Sequence, residues 1–347
     1  MNIVNNPGVG ARIKWMDALK LFAILMVIWG HSVQHLLSSD RLTEPAWLFI
    51  TSFHMPLFMV ISGYFGASIV KYKFRDGFIK RFKQLIVPVI CFSVIAIALG
   101  VDEFWGGKKT TSINSFWFLR SAFVCSMLYS IAFSTGRYRK AGVIITLLMS
   151  QCIPLWQINL MYPSFLFGVL VRNNAGFILT RGGSRKVMLI SGLLFVLMLV
   201  PWMQGICMNT SGHGLSFSAL TPAVLIDYLL RHLGRLAIGL VGATFFISMF
   251  SYLSHSVPSS RIGDYIVAEG KNTLGVYVLQ TFLLEMYLKQ TVNFDGYNPW
   301  VFNCLIVPLI SLLVLAVCLL LIRLIHLSAP LSACLLGEKR VAKPSHT

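Results

Sequence analysis

Apolar residues run along this chain in stretches of about twenty, separated by short polar intervals, and that length and period predict helices that cross a bilayer. Ten are expected, at about 16–38, 46–70, 84–101, 116–134, 141–158, 160–179, 187–206, 236–253, 273–291 and 300–326. Asp40, Arg41, Glu44 and Pro45 mark a turn at 39–45 between the first two. The stretch 207–235 breaks the pattern at Gly212, Gly214 and Pro222 and reads as a loop with a partial helix, re-entrant where protein buries it. The fold class is an all-α integral membrane protein. It is a bundle of about ten transmembrane helices forming one domain over 1–347, with short tails outside 16–326.

Charge orients the bundle. Only 12% of the 347 residues are charged, against about 25% in soluble domains, and the net charge is +17. With the N-terminus on the cytoplasmic side, 22 of the 29 Lys and Arg residues fall on that side. The other seven are Arg41, Lys108, Lys109, Arg120, Arg231, Arg235 and Lys289. This asymmetry predicts both termini in the cytoplasm. The basic residues sit in short clusters between apolar spans and no zinc-finger or RNA-binding signature occurs, so nucleic acid is not a partner. The run around Ile24 is too long for a signal-peptide core, and no small-x-small cleavage site follows it. The seven cysteines lie mostly in apolar runs without metal-ligand spacing and read as core residues; no metal site is expected.

Polar residues inside such helices are costly and mark candidate sites. Lys20 and His31 share the first helix with ten residues between them, about 16 Å along the axis. The cluster Gly30-His31-Ser32-Gln34-His35 interrupts an otherwise lipid-like segment. An imidazole titrates near pH 6.5 when unperturbed, which suits a general base at neutral pH. His54 lies about as far after the 39–45 turn as His31 lies before it, so a tight hairpin holds the two level, with their rings expected within roughly 10 Å. A hydrogen-bonded core histidine remains the alternative for His54.

Between Lys71 and Gln84 the chain carries six cations, including Lys80, Arg81 and Lys83. The patch suits anionic lipid, or a clamp for the phosphates of a nucleotide-bearing donor. No phosphate-binding glycine loop, nucleophile elbow or HExxH motif is present, which leaves ATP, nicotinamide, serine-hydrolase and zinc-protease chemistry without support. Arg120 beside Trp117 reads as a snorkelling interfacial pair or as a substrate contact. Arg231 pairs with Asp227 by spacing, or faces substrate; Glu285 is an acid in the ninth helix. Asn272 or Thr273 is expected to cap that helix.

The chain resembles the acyltransferase family 3 membrane proteins. The resemblance rests on Asp17-Ala-Leu-Lys20, on the Lys20-to-His31 spacing, on Phe53-His54-Met-Pro-Leu-Phe58 with Ser62-Gly-Tyr64, and on Arg81-Phe-Lys-Gln-Leu-Ile-Val-Pro88. Trp117-Phe-Leu119 and Asn272-Thr-Leu-Gly-Val-Tyr277 add weaker matches. The family often has a second arginine where Gln84 stands. The resemblance implies a cytoplasmic acyl-CoA co-substrate, usually acetyl-CoA, no permanently bound cofactor, and a glycan or lipid-linked saccharide acceptor at the bacterial inner membrane. Lys20, Arg81, Lys80 and Lys83 would hold the donor. His31 would be general base or transient acyl carrier, assisted by His54, and Arg120, Trp117, Arg231 and Glu285 would meet the acceptor. A transporter or flippase of a glycan or small anionic solute is the competing class. The His-rich first hairpin has no counterpart after residue 187, so the halves repeat that a transporter would suggest is not visible.

Overall fold

The computed structural model describes residues 13–37, 44–99, 103–105, 108–110, 116–205, 221–256, 260–288, 292 and 294–338. The turn at 39–45 is described only from Glu44, and Gly212 and Gly214 lie outside the described residues. Helices dominate. α1 spans Lys14–Leu36, α2 Pro45–Gly66 and α3 Phe74–Ala98, followed by a small antiparallel ribbon of β1 (Glu103–Trp105) and β2 (Lys108–Thr110). α4 is Trp117–Ser134, α5 Arg139–Gln151, α6 Ile158–Asn173 and α7 Arg181–Met203. α8 runs Pro222–Ser256, α9 Arg261–Glu269, α10 Thr273–Gln280, α11 Pro299–His326 and α12 Ala329–Leu335. Proline opens α2 and α11, where its missing N–H has no intrahelical partner to lose.

Among the described residues, seven helices are long and apolar enough to cross a membrane: α1, α2, α3, α4, α7, most of α8, and α11. The segments expected at 141–158, 160–179 and 273–291 are shorter as helices. α5 and α6 are separated by a turn, and α10 leaves α-helical geometry for a π-helical turn at Thr281–Leu288. Large apolar side chains face outward, including Leu189, Leu193 and Val196 on α7 and Leu309, Leu313 and Leu320 on α11. That is the arrangement of an integral membrane protein, whose outer solvent is hydrocarbon.

The α1–α2 hairpin sits between two apolar clusters and belongs to both. One, rich in α4, α6, α10 and α11, takes Ile24, Val27 and Ile28 from α1 and Met59 from α2. The other, with α7 and α8, takes Met16, Leu19, Ala23, Phe53 and Leu57. α2 crosses α6 backbone to backbone: a Cβ on Gly63 would strike the Phe165 carbonyl, and one on Gly168 would strike the Val60 carbonyl. Small residues allow such crossings where hydrocarbon supplies no hydrophobic drive.

Four expectations change. α3 begins ten residues early, so Lys80, Arg81 and Lys83 stand on a helix whose turn Phe82–Ile86 is π-helical. Residues 222–235 belong to the long α8: Pro222 starts it, and Arg231 donates from Nε to Asp227 at 2.6 Å across one helical turn. Asn272 does not cap α10 with its side chain, which instead donates to Glu269 Oε2 at 2.7 Å. Cys125 and Cys318 are core residues, but Cys152, Cys304 and Cys334 are exposed.

Gly168→Ala should destabilise the bundle by about 1–3 kcal/mol through forced separation of α2 and α6. Gly176→Ala, where no atom lies within 4 Å of the added Cβ, should be close to neutral. Thermal unfolding of purified protein in detergent compares them, and equal midpoints would remove the crossing as a structural constraint.

Candidate functional site

Polar side chains gather at two levels of the bundle. Near the C-terminal end of α1, His31 and His35 are one helical turn apart with rings stacked, centroids 5.7 Å apart and planes 6° off parallel. His54 on α2 donates from Nδ1 to the Ile50 carbonyl at 2.7 Å; a carbonyl only accepts, so Nδ1 carries the proton. In the neutral ring this leaves Nε2 as the basic nitrogen. His31 on α1 and Arg235 on α8 are the ionisable neighbours of His54.

Arg235 comes from α8, in the segment expected to be largely loop. His232, three residues earlier on the same helix, is 2% exposed and lies near the backbone of Asn159 at the start of α6. The Asn159 carbonyl also accepts from Gln151 Nε2 at 3.1 Å. The turn between Gln151 and Asn159 places Trp156 and Gln157 in left-handed conformation, φ 52° and 55°. Such a conformation costs a non-glycine residue of order 1–3 kcal/mol and persists only where surroundings impose it. Trp156 offers its face to the Arg120 guanidinium, 4.8 Å from the ring centroid. Trp117 lies one turn before Arg120 and packs edge-on against Phe118, which in turn meets Tyr277 of α10.

The other predicted acceptor residues lie apart. Arg231 is exposed and paired with Asp227. The Glu285 side chain lies outside the described residues. His232, Asn159 and Trp156 were not singled out from sequence, and Arg235 only as a basic residue of the outer segment. The one available signal was the stretch His232-Leu-Gly-Arg235 beside an apolar run, which the preceding glycines and proline made look like a loop.

At the opposite level, Lys20 pairs with buried Asp17 at 3.0 Å and lies over the Phe65 ring at 4.3 Å. Arg81 donates from Nη1 to Gln84 Oε1 at 3.0 Å, and its Nη2 lies 3.4 Å from where a Cβ on Gly66 would stand. Both cations therefore meet the last residues of α2, where the negative end of the helix dipole favours them. Next to them opens a cleft of about 1190 Å³ whose lining includes Tyr72, Lys80, Lys83, Gln84, Lys271 and Asn272. Lys80 donates to the Tyr72 hydroxyl at 2.7 Å. Lys83 and Lys271 have no ion-pair partner among the described residues, so their charge is available to an anion. Glu269 holds Asn272 in place while pairing with Arg323 at 2.7 Å. Gln84, where the family often has arginine, receives the Arg81 fork and lines the cleft.

Residues 13–323 match a family described as an acyltransferase domain, acyltransferase family 3. The chain belongs to that family. Among curated proteins, the nodulation protein NolL of Mesorhizobium japonicum is 30% identical over 145 residues, 38% of each chain. NolL of Sinorhizobium fredii is 27% identical over 187 residues, 48% of this chain and 50% of that protein. The matched stretch thus spans half or less of these relatives' length. No solved structure matches. In this acyltransferase-family chain, the Lys20-to-His31 spacing falls on one unbroken helix that joins the two polar levels.

The His54–Ile50 bond predicts a stability order. His54→Leu should lose about 1 kcal/mol, whereas His54→Asn, with an amide donor near Nδ1, should retain most of it. Denaturation in detergent ranks the two, and an equal loss would mean that the bond contributes nothing.

Proposed function

We propose that the protein is a membrane O-acyltransferase that moves an acyl group, acetyl in the simplest case, from acyl-CoA to a hydroxyl of a cell-surface or exported glycan. One observation carries the reading: α1 connects a lysine-lined cleft at one end to a cluster of imidazoles and a half-buried arginine at the other. In this reading ten segments cross the bacterial inner membrane and both termini are cytoplasmic, so the cleft opens to the compartment that holds acyl-CoA. Lys80, Lys83 and Lys271 meet the donor's phosphates as point charges, and Lys20 with Arg81 flanks the path inward. The pantetheine arm then brings the thioester toward His31.

The chemistry needs one proton acceptor and one leaving group. The acceptor oxygen attacks the thioester carbonyl carbon while a histidine nitrogen takes the hydroxyl proton; the new C–O bond forms, the C–S bond breaks, and the thiolate leaves and is protonated. His31 fills this role as base, or takes the acyl group itself before passing it on. His54, oriented by Ile50, places its Nε2 toward the same reaction. Arg120 on Trp156, with Trp117 nearby, offers a flat aromatic and cationic surface to a hydroxyl-rich acceptor.

His31→Ala is expected to abolish acetyl-CoA-dependent thiol release and acceptor labelling while the protein still inserts and purifies as a single species. Near-normal turnover would remove His31 from the chemistry. Uptake of acceptor into vesicles without thiol release would instead favour transport.

Arg81→Ala should raise the donor KM with a smaller loss of kcat. Lys83→Gln combined with Lys271→Gln should raise it about tenfold, the effect of about 1.4 kcal/mol of lost ground-state binding, with kcat nearly unchanged. An unchanged donor KM in all of these variants would return the cleft to lipid binding.

A further inference from the structure

We infer that Arg235 is the oxyanion-stabilising group of the transfer, its guanidinium meeting the thioester carbonyl oxygen as that oxygen becomes negative. The inference rests on the acyl-transfer reading above and supplies the part which that reading lacks. An acyl transfer passes through a tetrahedral intermediate whose oxygen carries a full negative charge, and a preorganised donor aimed at that oxygen is commonly a major source of rate.

Three features place Arg235 there. It stands on the face of α8 that meets α2: one turn on, Gly239 lies against Pro56 so closely that a Cβ would come 2.5 Å from the ring's Cγ, and Gly242 lies against the Phe53 Cβ. His54 lies between those two α2 positions in sequence, so the α8 face that carries Arg235 packs on the stretch of α2 that carries His54. Its own helix packs into the bundle beside it at His232, which is 2% exposed and lies near the Asn159 backbone that Gln151 holds at 3.1 Å. A cation inside a membrane bundle is expensive to keep. Beside a proton acceptor it has a defined use, because one group takes the hydroxyl proton while the other receives the negative charge that this attack creates. When the C–S bond breaks, the electron pair leaves with sulfur, the carbonyl re-forms, and the guanidinium returns to its starting state unchanged.

The test compares wild type, Arg235→Met and Arg235→Lys in detergent or proteoliposomes, with acetyl-CoA as donor and a soluble oligosaccharide as acceptor. Thiol release and transferred acetyl are both followed. Arg235→Met should lower kcat by about 10²–10³-fold, with both KM values within a few-fold of wild type. Arg235→Lys should recover part of that loss, since the charge is kept and the fork is not. If the methionine variant does not purify as a folded species, Arg235→Gln is read in the same way. A kcat within about threefold of wild type overturns the assignment, and so does a loss confined to the acceptor KM, which would make Arg235 a binding group for an anionic acceptor. A wild-type protein silent in the same assay removes the acyl-transfer reading, and this assignment with it.

Discussion

The crossing of α2 against α6, with Gly63 and Gly168 each in contact with the opposing backbone, is the constraint on which the rest depends. In hydrocarbon, helices gain little from apolar burial against one another, so close packing fixes which faces meet. Because α2 is pinned on that side, its other faces are available to α1, α7 and α8. His54 can then lie beside His31 from α1 and the α8 face that carries Arg235 without leaving the helix. A wider crossing would rotate or displace α2 and separate the imidazoles from that face.

The charges follow a plan that the bilayer makes costly to maintain. At one end, cations collect where α2 terminates, with Lys20 neutralised by Asp17 and Arg81 held by Gln84. The cleft lysines nearby have less compensation, with Asp76 and Glu338 the acids in the same lining. At the other end the groups are imidazoles and two arginines, one on a tryptophan face and one beside the histidines. The proposed donor, with several negative charges and a long neutral arm, suits this polarity: its phosphates would stay with the lysines and its reactive end would travel into the bundle.

Much of this was legible in the sequence because membrane helices leave few places for polar residues. His31 and Lys20 stood out for that reason, and the hairpin logic led to the expectation that His54 lies level with His31. The basic stretch before Pro88 was also visible, although its helix begins at Phe74 and not near Gln84. What stayed hidden depended on long-range pairing. Arg231 and Arg235 look alike in sequence, yet one is exposed and paired with Asp227 while the other stands one turn before Gly239, on the face of α8 that meets α2. Lys271 carried no mark as a cleft residue, because its neighbours Lys80 and Lys83 lie far away in the chain. Trp156 was invisible for a further reason: its left-handed turn after Pro154 follows from packing and has no glycine to announce it.

In the proposed transfer, a donor held at the lysine cleft delivers its acyl carbon to the level of His31 and His54. Photolabelling with an acyl-CoA that carries a diazirine on its acyl group tests this directly, with labelled peptides located by mass spectrometry. Adducts are expected within residues 27–35 of α1 and 50–58 of α2, suppressed by excess acetyl-CoA and weakened by the Lys83→Gln, Lys271→Gln pair. Labelling confined to the outward-facing leucines of α7 and α11, or unaffected by acetyl-CoA, would contradict the account.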